Sequence, residues 1–197
     1  MATTTPSAAL VPVAIAVHED RIVLVHDPNE RWGGAFWNIP SGRVEAHETP
    51  ALGAARELAE ETGLVVTPDR LPIGTSLTLA KENAARAWNF ITQVEDGALA
   101  ADDPDGLILE ARWFPRNEAI ALLSRLPYRP LAEPVVAHLT GSAAPGSHWH
   151  FASSERDPVV TAGLDPLSQR ARLTRAPLGS KSGQGERLPH MPQTGRR

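Results

Sequence analysis

SGRVEAHETPALGAARELAEETGL, residues 41–64, carries the boundaries of a helix in its own sequence. Thr49 supplies a capping hydroxyl, Pro50 is favoured at the first helical position, and Gly63 suits the residue just past the end, so a helix is predicted over 50–62. At about 100° per residue, Glu57, Glu60 and Glu61 share one sector of that helix, with Ala51, Leu52, Ala55, Leu58 and Ala59 on the opposite side. The three carboxylates repel one another and face the negative end of the helix dipole, each effect costing a few tenths of a kcal/mol up to about 1 kcal/mol. A purely structural purpose for the cluster is therefore a poor explanation. A hard divalent cation reverses the sign of the cost, because Mg²⁺, or Mn²⁺ in its place, takes oxygen ligands and fills its remaining positions with water and phosphate. Arg56 lies four residues before Glu60 and is placed to pair with it. His18, His26 and His47 lack the helical spacing of a zinc site.

Outward from the helix, the chain alternates strands and loops. VPVAIAV (11–17) and RIVLVHD (21–27) are β-branched runs separated by three residues, the pattern of a hairpin. A Gly-, Pro- and Asn-rich loop over 28–42 follows, with a short extended piece at 36–39. Beyond the helix, 64–66, 73–80, 86–95 and 107–115 read as strands, the second and third alternating well enough to pair. Helices are predicted over 117–126, capped by Asn117, and over 132–139. The order gives a mixed α/β domain over 10–140, after a flexible N-terminus of 1–9. From Gly141 to 197 the sequence is rich in Gly, Ser, Pro and Arg and is expected to be a largely disordered tail.

A chain of 197 residues suits one domain with a true core. Its formal net charge of -4 gives no global reason to expect nucleic-acid or anionic-membrane partners. The absence of cysteine removes disulfides, thiolate metal sites and a thiol nucleophile, and fits a reducing compartment. The first apolar run has no cationic segment before it, is broken at Pro12 and ends at His18, so a soluble cytoplasmic protein is expected.

The spacing Gly42, five residues, Glu48, seven residues, then Arg56-Glu57-Leu58-Ala59-Glu60-Glu61-Thr62-Gly63-Leu64 resembles the Nudix box at every specified position. Seven fixed identities at about 7% each have a chance on the order of 10⁻⁸ per starting point, which disposes of coincidence. The resemblance implies the Nudix α/β/α sandwich with a mixed β-sheet. It also implies a divalent-metal-dependent hydrolase that cleaves a diphosphate bond in a nucleoside diphosphate linked to a further moiety, or in a nucleoside triphosphate. By the same resemblance Glu57, Glu60 and Glu61 bind the metal, with one of them, often Glu57, orienting or deprotonating the attacking water. Glu48 and the Gly42 carbonyl contribute secondarily. A small-molecule nucleotide is the implied partner, and a homodimer is a candidate assembly. Family members often add one carboxylate outside the box; Glu110 is the favoured candidate, ahead of Asp102, Asp103 and Asp105, with an ordinary surface role competing.

Other residues divide between packing and substrate contact. Trp37, Trp88 and Phe90 could stack on a base, but aromatic residues on strands are more often packing. Arg31, Arg43 and Arg86 are candidates for phosphate contact against a plain surface role. The His-Trp-His run at 148–150 has no third ligand. Subfamily markers for ADP-ribose, dinucleoside polyphosphate or NADH substrates are missing, and Pro-Ser-Gly at 40–42 replaces the commoner Pro-Gly-Gly. The competing function is a non-catalytic module that senses nucleotides or binds a partner, which would be expected to show an eroded box.

Overall fold

The computed structural model describes residues 9–30, 33–67, 74–79, 84–152 and 160–164. Strands β1 (Ala9–His18) and β2 (Arg21–Asn29) form the expected hairpin, turned at Glu19, a non-glycine residue held at a φ of 52°. The two strands pair only near that turn, at Val17 with Ile22 and His18 with Arg21. Farther out they separate, and the chain after β3 (Gly34–Asn38) fills the gap. Val25 and His26 pair with both β3 and β6 (Glu110–Pro115), so these two strands lie on opposite edges of β2, and β3 shares an edge with β1. On its other side the inserted segment bonds to β1: the Ala14 amide donates to the Pro40 carbonyl at 2.9 Å, and the Val44 amide to the Leu10 carbonyl at 3.0 Å. Splaying a hairpin in this way leaves backbone groups unpaired unless another segment meets them, and residues 38–44 meet them.

The rest of the sheet grows from β1. Strand β5 (Ala84–Gln93) runs parallel to it from Ala9 to Val17, β4 (Gly74–Leu79) is antiparallel to β5, β7 (Ser147–Ala152) is parallel to β4, and β8 (Val160–Leu164) is antiparallel to β7. Alternation sorts the side chains into two cores. Val13, Ile15, Val17, Ile22, Leu24 and Phe114 face helices α2 (Arg116–Leu123) and α3 (Arg129–Leu139), where Leu123 and Val135 are fully buried. Ala14, Ala16, Val23 and Phe90 face α1 (Pro50–Thr62), which packs Ala54 and Leu58 onto them. The result is the expected mixed α/β/α sandwich, with α1 the one helix on its side among the described residues.

Several local expectations change. Residues 64–66 are not a strand, and β6 begins at Glu110 rather than 107. Helix α2 starts at Arg116, with Pro115 at the cap position and no side-chain cap, so Asn117 lies inside the first turn. Helix α3 begins at Arg129, three residues early, because Pro130 provides a good first turn. It also tolerates Pro134 near its middle, where the buried ring adds to the core. The stretch after Gly141 contains two strands of the sheet, β7 and β8, so His148–His150 lies on a strand; most of the remainder falls outside the described residues. Among the described residues no helix is long and apolar enough to cross a membrane.

Candidate active site

Helix α1 begins and ends as its sequence dictates. The Thr49 hydroxyl accepts from the Leu52 amide, and Gly63 closes the helix in the left-handed region at φ 79°. The last turn is then sealed by the loop after β5: the Ala100 amide donates to the Thr62 carbonyl at 2.9 Å, and the Asp102 amide to the Glu60 carbonyl at 2.7 Å. Carbonyls that would concentrate negative charge beside the glutamates are thereby satisfied. The helix is rotated relative to a simple apolar-inward arrangement. Leu52 is 49% exposed, whereas Glu61 is only 9% exposed and joins Leu58 and Thr62 on the buried side.

That rotation presents the carboxylates to the segment inserted between β1 and β2. The Ser41 amide donates to Glu61 Oε2 at 3.1 Å, and the Arg43 amide to Glu57 Oε1 at 3.2 Å. Gly42 between them has no room for a side chain, since a Cβ there would lie 2.1–2.4 Å from the Glu57 carboxylate atoms. A side chain at this position would displace the Glu57 carboxylate from the turn.

Arg56 binds the group together. Its Nε and Nη2 meet the two oxygens of Glu48 at 3.1 and 3.2 Å, and Nη2 also donates to the Arg43 carbonyl at 2.8 Å. Its Nη1 reaches Glu60 Oε2 at 2.9 Å, the pairing expected from sequence, and Glu57 Oε1 at 3.0 Å. The arginine hydrogen bond holds Glu48 below the usual carboxylate range. Glu48 therefore acts as the anchor of Arg56. The remaining carboxylates are left short of positive charge. Burial above all, then repulsion from Glu57, pushes the Glu61 carboxyl up to about 9. Glu57 is raised by burial against the opposing pull of Arg56. Asp27, at the end of β2, is raised by burial and then by Asp103.

These residues line one cavity of about 460 Å³, bounded by Ser41, Gly42 and Arg43, by α1, and by the loop carrying Asp103, Pro104, Leu107 and Ile108. Among the described residues seven acidic residues and two arginines border it, and one of those arginines is already bound to Glu48 outside the set. Among the described residues no three acidic or histidine side chains converge as a metal-holding group, because Glu57 and Glu60 are both turned onto Arg56. The donor chemistry nonetheless fits a hard cation: the set is all oxygen, partly desolvated and deficient in positive charge.

The structure brings Gly42, Glu48, Glu57, Glu60 and Glu61 together and leaves Glu110 out. On β6, Glu110 pairs in register with His26 and forms a 2.6 Å ion pair with Arg112, on the sheet face that carries Leu24 and Phe114. The glutamates of α1 lie on the other face, and Glu110 does not border this cavity. Asp103, read from sequence as part of a solvated loop, receives the amides of Asp105, Leu107 and Ile108 and shapes the cavity wall. Asp27 was missed because it stands at a strand end, and its face is decided only by register. Arg43 borders the cavity, and Arg31 lies outside the described residues. Trp37 stacks on His26 at 4.9 Å, Trp88 joins the α1-side core beneath Arg86, and Phe90 is buried, all packing roles.

A mixed sheet between helices, with a carboxylate helix locked to a glycine turn, defines a family, and the chain belongs to it: the NUDIX domain model matches residues 8–139. Its curated relatives include the human 8-oxo-dGDP phosphatase NUDT18, 24% identical over 190 residues that cover 81% of this chain and 56% of that protein. The NAD-capped RNA hydrolase NudC of Mycobacterium bovis is 33% identical over 118 residues, covering 52% of this chain and 34% of NudC. The chain thus spans little more than half the length of the first of these relatives, and a third of the second. A NUDIX hydrolase structure from Nitrosomonas europaea shares the fold with a TM-score of 0.63 at 19% identity, over 76% of this chain and 81% of that one.

Proposed function

We propose that the chain hydrolyses a diphosphate linkage in a nucleoside diphosphate joined to a further moiety, or in a nucleoside triphosphate, with a divalent cation held by Glu57, Glu60 and Glu61. The observation that carries this reading is the charge deficit of the α1 cavity, where the buried Glu61 has a backbone amide but, among the described residues, no cationic hydrogen-bond or ion-pair partner. Mg²⁺ suits the oxygen donors, and Mn²⁺ can stand in for it. When bound, such an ion neutralises phosphate oxygens and lowers the pKa of a water molecule. The protein's own groups supply the rest. Arg56 and the Arg43 amide hold Glu57 in place, and its carboxylate, raised by burial, is the group to take a proton from the attacking water. Arg43 borders the cavity with a cation suited to a phosphate oxygen. The relation to an 8-oxo-dGDP phosphatase over most of the chain supports including oxidised deoxynucleotides among the substrates. Absence of cysteine supports a cytoplasmic setting.

The test is a panel of nucleotide diphosphate derivatives and nucleoside triphosphates, with Mg²⁺ and identification of products by mass. A phosphorylated product is expected from at least one member, with Glu57→Gln lowering turnover by roughly 10²-fold or more. Ligand-induced thermal stabilisation without product across the panel would replace hydrolysis with the nucleotide-sensing reading.

A further inference from the structure

We infer that Asp27 supplies a carboxylate to the same cation from the sheet side, as the ligand outside the glycine-to-leucine motif of residues 42–64; this rests on the cation site proposed above. Three observations converge on it. First, β2 alternates, so Val23 faces α1 and Leu24 faces α2 and α3; by the same alternation Asp27 falls on the α1 side and His26 on the other. Second, Asp27 borders the cavity together with Glu57, Glu60 and Glu61, and its charge acts on Glu61. Third, its carboxylate has neither a hydrogen-bond partner nor an ion-pair partner in the described structure, although it is only partly exposed. An unpaired, half-buried carboxylate is costly unless something else uses it.

The other acidic residues at or near the cavity are less suited: Glu45 and Asp105, which also border it, are exposed to solvent, whereas Asp27 is partly buried. Both oxygens of Asp103 are taken by the loop amides, at 3.0 Å from Asp105 and at 2.6 and 2.9 Å from Leu107 and Ile108. Glu48 is held in the fork of Arg56. Glu110 pairs with Arg112 on the opposite sheet face. Among the described residues Asp27 thus has no hydrogen-bond or ion-pair partner on the α1 side, two residues before the end of β2, and Pro28 after it has no amide to donate.

The proposal predicts opposite effects of one substitution on two quantities. In metal-free protein, Asp27→Asn removes a partly buried charge and its repulsion with Asp103, and raises the melting temperature. In equilibrium Mn²⁺ binding to the full chain, followed by electron paramagnetic resonance, the same substitution weakens affinity by roughly tenfold or more. Glu61→Gln, which removes a ligand of the underlying site, weakens it as well, and Glu110→Gln leaves it unchanged. If wild type binds Mn²⁺ and Glu61→Gln weakens it while Asp27→Asn binds as wild type does, Asp27 is not a ligand and the cation site stands. If wild type fails to bind Mn²⁺, the cation site itself fails and the inference with it. A lowered melting temperature for metal-free Asp27→Asn with unchanged affinity assigns the residue to structure and overturns the proposal.

Discussion

Gly42 shows how a single position is fixed by chemistry elsewhere in the chain. Its missing side chain lets the turn at 41–43 approach the Glu57 carboxylate, so Gly42→Ala must push that carboxylate away or move the turn. Gly42→Ala is expected to change stability in denaturant unfolding by less than about 1 kcal/mol, because a flexible side chain can shift, and to reduce turnover by far more than that loss explains. Arg56 is as specific in a different way. Its fork holds both oxygens of Glu48, and its third nitrogen serves Glu57 and Glu60, a geometry that a lysine ammonium cannot reproduce. Arg56→Lys should therefore keep the charge and still lose most of the activity, and a kinetic comparison with wild type checks this. Activity within twofold would show that charge alone is needed.

At the scale of elements, α1 was legible because its signals are local: Thr49, Pro50 and Gly63 each act through the backbone beside them. Gly63 is doubly constrained, since it takes a positive φ and a Cβ would come within 2.6 Å of the Ala100 carbonyl oxygen. Gly63→Ala is expected to cost about 1–3 kcal/mol in chemical unfolding. The rotation of α1 was not legible from its own apolar pattern, because Leu52 and Glu61 exchange their expected environments under the pull of the 38–44 segment. The same limit explains Glu110 and Asp27. Each is an acidic residue near a strand end, and a shift of one residue in register decides which faces the cavity. No local signal carries that information. Strand β7 was hidden for a related reason, since its pairing partner β4 lies some seventy residues earlier in the chain.

Across the whole molecule, the cost of gathering these carboxylates should appear as a pH dependence of stability. Glu61 has a folded pKa of about 9, above the ordinary value of 4.5, so the folded metal-free protein holds a proton that the unfolded chain releases. Its contribution to stability is fully present below about pH 4.5 and is lost as pH rises through about 9. Glu57 and Asp27 are shifted in the same direction. Metal-free protein is thus expected to melt at progressively lower temperature between about pH 5 and 9, with Glu61→Gln flattening the decline. Divalent cation should bind more tightly as pH rises, since its ligands must be deprotonated.

If a divalent cation completes this cavity and makes it hydrolytic, turnover must depend on that ion and on Glu57. The most direct test is the rate of product release from the best nucleotide of the panel, measured against Mg²⁺ concentration for wild type and Glu57→Gln. Saturable dependence on Mg²⁺, no turnover in chelator, and a loss of roughly 10²-fold or more in the variant are expected. Turnover that persists in chelator, or that survives Glu57→Gln undiminished, would contradict this reading.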